Sequence, residues 1–331
     1  MKTSHSRALL ALLVTVGVPA AACSSFSSDP AAADAGPGEP SPRTDSGGFP
    51  PVSGQPAKDS GSDTGRDAGG DAPAGSWSPK DLPGLAVWLD ATVGATFDVN
   101  TKLTSWIDQS GNGNNGTITA PCVGPARAAN SLNGHDTLAF TGSASVGACV
   151  AIADATSMRF GINDFAVFVV ARYSNVPNVL SSTGLPNLWT GLRQEGTSFN
   201  YTGARLFANT VSSEAKLQLW QNNSSGNGAV SATALLNDAT FRRFGGTRRG
   251  VALETWIDGT ADGSVTLPSV VDVTQPARAA FIGGDPVAAA TGSSLTGWLL
   301  GNIAEVVAVK GNLTDAQIAQ LDGHFKTKHG L

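Results

Sequence analysis

From Pro79 onwards the chain alternates short apolar segments with turn residues, a pattern that leaves little room for long helices. Gly, Asn, Asp and Pro separate the segments, and each segment has the length of a β-strand. A low charged fraction of 14% and 40 glycines agree with this interpretation. The sequence predicts an all-β fold, a jelly-roll sandwich of two antiparallel sheets. The predicted strands are LAVWLDA (85–91), LTSWIDQ (103–109), TLAFTG (137–142), FAVFVVARY (165–173), KLQLWQN (216–222), FRRFGGTRR (241–249), VALETWID (251–258) and GNIAEVVAV (301–309).

Two local patterns add detail to this prediction. The segment 165–173 is apolar at both odd and even positions, so we expect it in the middle of a sheet that is covered on both faces. Asp258-Gly259 is a strong signal for a hairpin turn, and Asp262-Gly263 follows as a second turn signal.

One helix is predicted, at the C-terminal end. Thr314 and Gln317 have the spacing of a capping box. Ile318, Leu321 and Phe325 then form one apolar stripe, so we expect the helix to pack against the sandwich as a short C-terminal element.

Six stretches of the sequence carry a family resemblance. They are LPGLAVWLDA, SWIDQSGNGNNGT, NGHDTLAFTG, DFAVFVVAR, TWIDG, and GNIAEVVAV with a short helix ending in KHGL. Together they resemble the LamG-like jelly-roll branch of the concanavalin A-like lectin and glucanase superfamily, over residues 79–331. The resemblance implies two antiparallel sheets, one of them concave, in a domain of secreted or surface proteins. It does not decide between lectins, hydrolases and adhesive modules, which share this fold.

The N-terminal segment is typical of an export signal. Residues 1–22 have a basic start, an apolar run and small residues, the pattern of a secretory signal peptide. Cys23 follows and resembles the lipidated cysteine of bacterial lipoproteins, although Ala20 stands where that motif usually has Leu. The alternative is an ordinary secretory signal with a chance cysteine. We expect a lipid anchor in the outer membrane, and a protein of the cell envelope that is surface-exposed or secreted.

Residues 23–78 form a linker of Pro, Gly, Ser and Asp with one Val and no Leu or Ile. Such a composition buries too little apolar surface to fold, so we expect a disordered tether. It carries most of the net charge of −5, and residues 79–331 are nearly neutral. The charge pattern excludes the electrostatic footprint of a nucleic-acid-binding protein.

The stretch DQSGNG has the spacing of a calcium loop. Asp108, Ser110 and Asn112 match the first half of an EF-hand-type motif, and proteins of the resembled superfamily often carry calcium near loops. Thr119 stands where the motif requires Glu, and no helices flank the loop. The preferred interpretation is a tight turn capped by the Asp108 side chain, with calcium as the alternative.

Cys122 and Cys149 are the cysteines that remain after Cys23. In an oxidising compartment such a pair is most simply a disulfide, and the alternative is two free buried thiols.

Four residues are candidates for contact with a ligand. Trp189 and Trp220 lie in the stretch least like the family and are predicted on an exposed face, whereas Trp88, Trp106 and Trp256 are predicted in the core. Arg242 and Arg248 share one face if 241–249 is a single strand, as the family resemblance implies. If Gly245-Gly246 is instead the turn, like charges face each other, which is unfavourable unless carboxylates or an anion such as an acidic polysaccharide or a lipopolysaccharide phosphate bind them. The preferred interpretation is that these are solvated arginines on an outer face.

Catalysis has little support in the sequence. The E-x-D-x-x-E arrangement of glucanases in this superfamily is absent, and the nearest pair is Glu254 and Asp258. We therefore predict a surface-anchored, non-catalytic module that binds a glycan or polysaccharide. The alternatives are a structural or adhesive domain that binds a surface protein and, below it, a glycoside hydrolase.

Overall fold

The computed structural model describes residues 77–142, 146–174, 187–191, 193–195, 200–209, 214–220, 229–231, 238–274, 278–284 and 297–331. These residues contain eighteen strands, one α-helix and two short 3₁₀ turns, Pro79–Asp81 and Thr156–Met158. The strands are β1 Leu85–Asp90, β2 Ala95–Phe97, β3 Leu103–Trp106, β4 Gly116–Thr117, β5 Ala126–Leu132, β6 His135–Phe140, β7 Val150–Ile152, β8 Phe165–Tyr173, β9 Asn187–Thr190, β10 Arg193–Glu195, β11 Asn200–Asn209, β12 Glu214–Trp220, β13 Ala229–Ser231, β14 Arg242–Arg249, β15 Ala252–Ile257, β16 Thr260–Thr266, β17 Ala280–Ile282 and β18 Gly301–Lys310. The helix, α1, spans Asp315–His329.

The strands form two antiparallel sheets. Sheet A has the order β16-β15-β14-β8-β18-β6-β5, and β1 also pairs with β18. Sheet B has the order β13-β12-β11-β9-β17-β7-β4-β3-β2, and β10 pairs with β11. This arrangement confirms the predicted jelly-roll sandwich.

Strand β8 shows how the core is divided. Val167 and Val169 belong to the large apolar cluster between the two sheets. Phe168 and Val170 point to the opposite face of sheet A and belong to the cluster that packs against α1. The strand lies between β14 and β18. The prediction of a central strand covered on both faces is confirmed.

The hairpin between β15 and β16 turns at Asp258-Gly259, as predicted. Both residues have positive φ, 53° and 80°, which the type I′ turn requires. The second turn signal was wrong, because Asp262 and Gly263 lie inside β16. Asp262 is an extra residue at an irregularity of the pairing with β15, so its signal marks a bulge.

Helix α1 begins and ends with the expected local structure. Thr314 Oγ1 accepts a hydrogen bond from Gln317 N at 3.3 Å, and Gln317 Oε1 accepts one from Thr314 N at 2.9 Å, so the capping box is confirmed. Gly330 ends the helix in the left-handed conformation. The buried apolar residues Ile318, Leu321 and Phe325 cover the outer face of sheet A. In the described part of the chain no helix is both long and apolar enough to cross a membrane.

The predicted disulfide is confirmed. Cys122 and Cys149 are bonded, with their Cα atoms 5.2 Å apart. The bond lies in a small apolar cluster with Trp298 on the outer face of sheet B. The Trp298 indole lies where the Cβ atoms of Gly147 and Gly284 would be, 2.2 Å from each added carbon. Glycine at these positions therefore lets the ring lie flat on the backbone.

Candidate ligand-binding site

The stretch around Asp108 is a turn built on one carboxylate. Oδ1 of Asp108 accepts hydrogen bonds from Trp88 N and Ser110 N, both at 2.9 Å. Oδ2 accepts from Ser110 Oγ at 2.7 Å and Asn114 N at 2.9 Å. The Asn112 amide donates to a backbone carbonyl of β1 at 2.7 Å. Both carboxylate oxygens are thus engaged within the protein, as the turn interpretation expects.

Metal binding is a separate question. No group of three or more His, Cys, Asp or Glu side chains placed to hold a metal ion occurs among the described residues. Calcium at Asp108, Ser110 and Asn112 stays a prediction.

Arg248 is buried in the protein and does not face solvent. It lies on the side of β14 that faces sheet B and is fully inaccessible. Its guanidinium donates to the carbonyl oxygens of Val271 at 2.6 Å, Gly161 at 2.7 Å, and Asn163. Burial lowers the pKa of Arg248 to about 10. These carbonyls take the place that a ligand anion would occupy, so the predicted ligand contact of Arg248 is wrong.

Arg242 and Arg243 are also engaged within the protein. Arg242 binds Asp238 at 2.5 Å and Asp258 at 3.2 Å. Arg243 is buried and its Nε donates to Asp322 of α1 at 2.5 Å. The single strand that places Arg242 and Arg248 on one face is confirmed. The interpretation as solvated arginines on an outer face is wrong for Arg248, which is fully buried, whereas the Arg242 side chain stays 25% exposed beside Asp238 and Asp258.

The two predicted ligand-binding tryptophans have different outcomes. Trp189 is only 2% exposed, because it pairs with Ile282 on the inner face of sheet B and its ring lies 5.6 Å from that of Phe160. Its predicted position on an exposed face is wrong. Trp220 ends β12, and its side chain lies outside the described residues. Of the predicted core tryptophans, Trp106 and Trp256 are buried and Trp88 is half-buried.

A first opening lies where the segment after β7 meets β9, β11 and the residues before β17. This Trp189 pocket, lined in part by Asp154, Met158, Arg159, Phe160, Trp189 and Arg278, has a cavity volume of about 30 Å³ and opens to solvent. Arg159 donates from Nε to Asp154 Oδ1 at 2.9 Å and from Nη2 to Oδ2. That hydrogen bond raises the pKa of Arg159. The Trp189 indole N–H is buried and has no hydrogen-bond partner in the described structure.

Behind α1 the structure contains a buried charged cluster, which we call the Glu305 node. Oε1 of Glu305 accepts hydrogen bonds from Trp88 Nε1 at 2.6 Å and His324 Nε2 at 3.2 Å. Oε2 accepts from Lys328 Nζ at 2.7 Å and His329 Nε2 at 2.8 Å. Burial opposes ionisation, but the hydrogen bonds from both histidines and the Lys328 charge outweigh it and hold the pKa of Glu305 well below its usual range.

The node connects several elements. Lys328 also binds Asp90 at the end of β1. The ring of His329 lies edge-on to that of His135 in β6, with centroids 5.5 Å apart. One carboxylate therefore joins β1, β18 and α1, with β6 in contact.

A second opening lies above the node, along α1. This Trp77 groove is lined by Trp77, Ser78, Gln320, Gly323, His324, Thr327 and Lys328. Trp77 is half-buried, and its ring lies edge-on to His324 with centroids 5.9 Å apart. Gln320 and Thr327 are exposed and make no side-chain hydrogen bond to a described residue. An added Cβ at Gly323 meets no atom within 4 Å, so the groove is open there. An aromatic face thus lies beside amide, hydroxyl and ammonium groups.

Sequence reasoning missed the residues at the centre of this region. Trp77 was assigned to the linker 23–78, although it packs against the apolar cluster under α1. Glu305 was not singled out. Two signals could have found them: Trp77 is the single tryptophan of 23–78, and Glu305 is the single charged residue of GNIAEVVAV.

Comparison with known proteins gives a similarity of fold. No protein-family model matches the chain, and no curated protein matches its sequence. The binding domain of Paraclostridial Mosquitocidal Protein 1 is similar with a TM-score of 0.52 and 11% identity, over 75% of this chain and 53% of that one. The binding domain of Botulinum Neurotoxin DC in complex with SialylT gives 0.49 and 12%, over 75% and 52%. A Trypanosoma rangeli sialidase gives 0.48 and 12%, over 73% and 33%.

The chain spans about half the length of the binding domains it matches and a third of the sialidase. At such low identity, similarity in structure does not transfer an activity. The comparison with the mosquitocidal protein therefore shows that this chain shares its β-sandwich fold.

Proposed function

We propose that this protein is a non-catalytic module of the bacterial cell envelope that binds a glycan in the Trp77 groove. The observation that carries the proposal is the half-buried Trp77 ring beside the uncommitted side chains of Gln320 and Thr327. An aromatic face packs against the apolar face of a pyranose, while amides and hydroxyls bind its hydroxyl groups.

The state of the predicted acidic pair supports a non-catalytic role. Glu254 binds Arg249 at 3.4 Å and accepts a hydrogen bond from Thr247 at 3.2 Å. Asp258 stands in the hairpin turn and binds Arg242. Since each carboxylate is neutralised by an arginine on sheet A, neither is placed as the free acid and base of a glycosidase. The similar domain of the mosquitocidal protein is named a binding domain, which agrees with this proposal.

We also propose that the domain is attached to the envelope as its sequence predicts. Cys23 carries the lipid, residues 23–78 form the tether, and the anchor lies in the outer membrane. The test is metabolic labelling with a fatty-acid analogue. Label on the natural chain and none on a Cys23→Ser variant is the expected result, and label on both would contradict it.

Glycan binding is tested by applying the purified full-length chain, with Cys23→Ser to keep it free of lipid, to an array of bacterial and plant polysaccharides. We expect binding that survives EDTA, since the Asp108 carboxylate is engaged in its turn. Binding that requires calcium would instead favour the alternative prediction of a calcium loop at Asp108, Ser110 and Asn112. Binding to no glycan would contradict the proposal and favour a surface protein as the partner.

Two substitutions locate the binding site. Trp77→Ala removes the aromatic face, and Gly323→Leu fills the groove from a position where an added Cβ meets no atom. Both should abolish binding to the array. Val99→Ala is the control, because Val99 is 98% exposed and does not line the groove. Unchanged binding by Trp77→Ala and Gly323→Leu would show that the glycan binds elsewhere.

A further inference from the structure

We propose that the Trp189 pocket is a second ligand site, distinct from the Trp77 groove, and that it binds the carboxylate of an acidic sugar unit such as a uronic acid. No residue is common to the linings of the two openings. The proposal goes beyond the glycan binding proposed above and does not depend on it.

The polar groups of the pocket are mainly hydrogen-bond donors. Arg159 and Arg278 line it, and both guanidinium groups carry donors alone. The Trp189 N–H is a further donor, buried and without a partner in the described structure. The one carboxylate in the lining, Asp154, already accepts from Arg159. A lining of this kind fits a ligand group that only accepts, and a carboxylate is such a group.

Arg159 has room for a second carboxylate. Asp154 occupies the edge formed by Nε and Nη2, while Nη1 makes no hydrogen bond to a described residue. The side chain of Arg159 is 41% exposed, so its free edge is accessible. A planar guanidinium can bind one carboxylate on each of two edges. Asp154 then orients the arginine and the ligand takes the remaining donors.

The remaining side chains of the pocket are apolar. The rings of Phe160 and Trp189, tilted by 31° to one another, and the Met158 side chain give the pocket an apolar wall. The cavity itself has a volume of about 30 Å³, which is enough for a carboxylate group and too small for a sugar ring. The carboxylate therefore enters the pocket, and the ring lies at its solvent-facing mouth.

Arg248 holds the wall of the pocket in place. It donates to Gly161 O, next to Phe160, and to Val271 O, close to the lining residue Val273. Val273 N also donates to Gly161 O at 3.1 Å. The two segments are therefore fixed before a ligand arrives, which lowers the entropy lost on binding.

The test is calorimetric titration of the full-length Cys23→Ser chain with D-galacturonate, D-galactose and acetate. We expect D-galacturonate to bind at least about tenfold more tightly than D-galactose, as expected for a charge-assisted pair, and raising the salt concentration should weaken it. Acetate should bind more weakly than D-galacturonate, since it lacks the sugar ring. The proposal is overturned if D-galacturonate does not bind. It is also overturned if D-galacturonate binds no more tightly than D-galactose, or no more tightly than acetate.

Substitutions separate this site from the groove. Arg159→Met should lower the affinity for D-galacturonate at least about tenfold. Asp154→Asn should raise it, because this substitution removes a negative charge beside the ligand carboxylate while the Asn Oδ1 can still accept from Arg159. Trp77→Ala should leave it unchanged. If Trp77→Ala alone abolishes D-galacturonate binding, the groove is the acidic-sugar site and the second site is excluded. If the array shows no other glycan but Arg159→Met still weakens D-galacturonate, the groove proposal fails and this one stands.

Discussion

His329 Nε2 donates a hydrogen bond to Glu305 Oε2 across 2.8 Å, and this contact joins the last turn of α1 to the middle of β18. Both side chains are fully buried. Trp88 reaches the other carboxylate oxygen from β1. The C-terminal helix is therefore fixed by a charged contact as well as by its apolar stripe.

Replacing Glu305 by Gln should destabilise the domain. The substitution leaves Lys328 and His329 against a neutral amide inside the protein, and we expect the free energy of unfolding to fall by about 3 kcal/mol. Urea denaturation measures it. Lys326→Ala is the control, because the Lys326 side chain is 48% exposed and its partner on the same helix, Asp322, keeps its contact with Arg243. The loss of this pair should cost less than about 1 kcal/mol. Equal losses in the two variants would contradict the role of the node.

Acid should weaken the same node. The pKa of Glu305 is lower in the folded protein than its ordinary value of 4.5, so its ionised form favours folding. This stabilisation is fully present above about pH 4.5 and is lost as the pH falls towards the folded-state value. The titratable groups around it are Lys328, His324 and His329, and, one contact further, Asp90 and His135. As the pH is lowered through this range, the melting temperature should fall more steeply for the natural chain than for Glu305→Gln. Parallel curves of melting temperature against pH would contradict the role of the Glu305 carboxylate.

Arg248→Met should destabilise the protein far more than Arg249→Met. The first change leaves the carbonyls of Val271, Gly161 and Asn163 without their buried donor, which should cost more than about 3 kcal/mol. Arg249 is partly exposed and pairs with Glu254 and Asp315, so its loss should cost about 1 kcal/mol or less. Chemical denaturation measures the loss in free energy of unfolding for each variant. A larger loss in Arg249→Met than in Arg248→Met would contradict the burial described for Arg248.

Two glycine-to-alanine substitutions should have opposite effects on the melting temperature. Gly323 lies inside α1 with no atom near an added Cβ, so Gly323→Ala should stabilise the domain by up to about 1 kcal/mol through helix propensity. Gly259 has a φ of 80° in its turn, and its added Cβ would lie 2.4 Å from Asp322. Gly259→Ala should therefore cost about 2 kcal/mol. Calorimetry of the pair tests this, and a loss of stability in Gly323→Ala would show that the helix is not built as described.

Removing the Cys122–Cys149 bond should lower the free energy of unfolding by about 3.5 kcal/mol, since the bond closes a loop between positions 27 residues apart. The double variant Cys122→Ser, Cys149→Ser is compared with the natural chain in denaturant. Added reductant should destabilise the natural chain to a similar extent and leave the double variant unchanged. A natural chain insensitive to reductant would mean that the bond does not form in solution.

The parts of the fold that the sequence predicted depend on local signals. The uninterrupted run of apolar residues in β8 is enough to predict that both faces of the strand are covered. Asp258-Gly259 and the Thr314–Gln317 capping box each act within a few residues. The Asp262-Gly263 signal failed because two such dipeptides within six positions cannot both form the turn of one hairpin, and the pairing of β15 with β16 selected the first.

The burial of charged residues could not be predicted in this way. Strand periodicity shows that Arg243 and Glu305 each share a face with apolar neighbours, but not what covers that face. The partner of Arg243, Asp322, is 79 residues distant, and Trp88 is 217 residues from Glu305. The candidate sites have the same difficulty, because the position of Trp77 above α1 and the burial of Trp189 under Phe160 follow from tertiary packing alone.

The pairing of β1 with β18 has a consequence for the newly made chain. A polypeptide leaves the ribosome from its N-terminus, so the apolar strand β1 emerges long before its partner has been synthesised. During that interval its unpaired edge can combine with strands of other copies, which is how aggregation starts. Because of this topology, the chain should fold without aggregating only where it is kept apart from other copies until β18 and α1 have been synthesised.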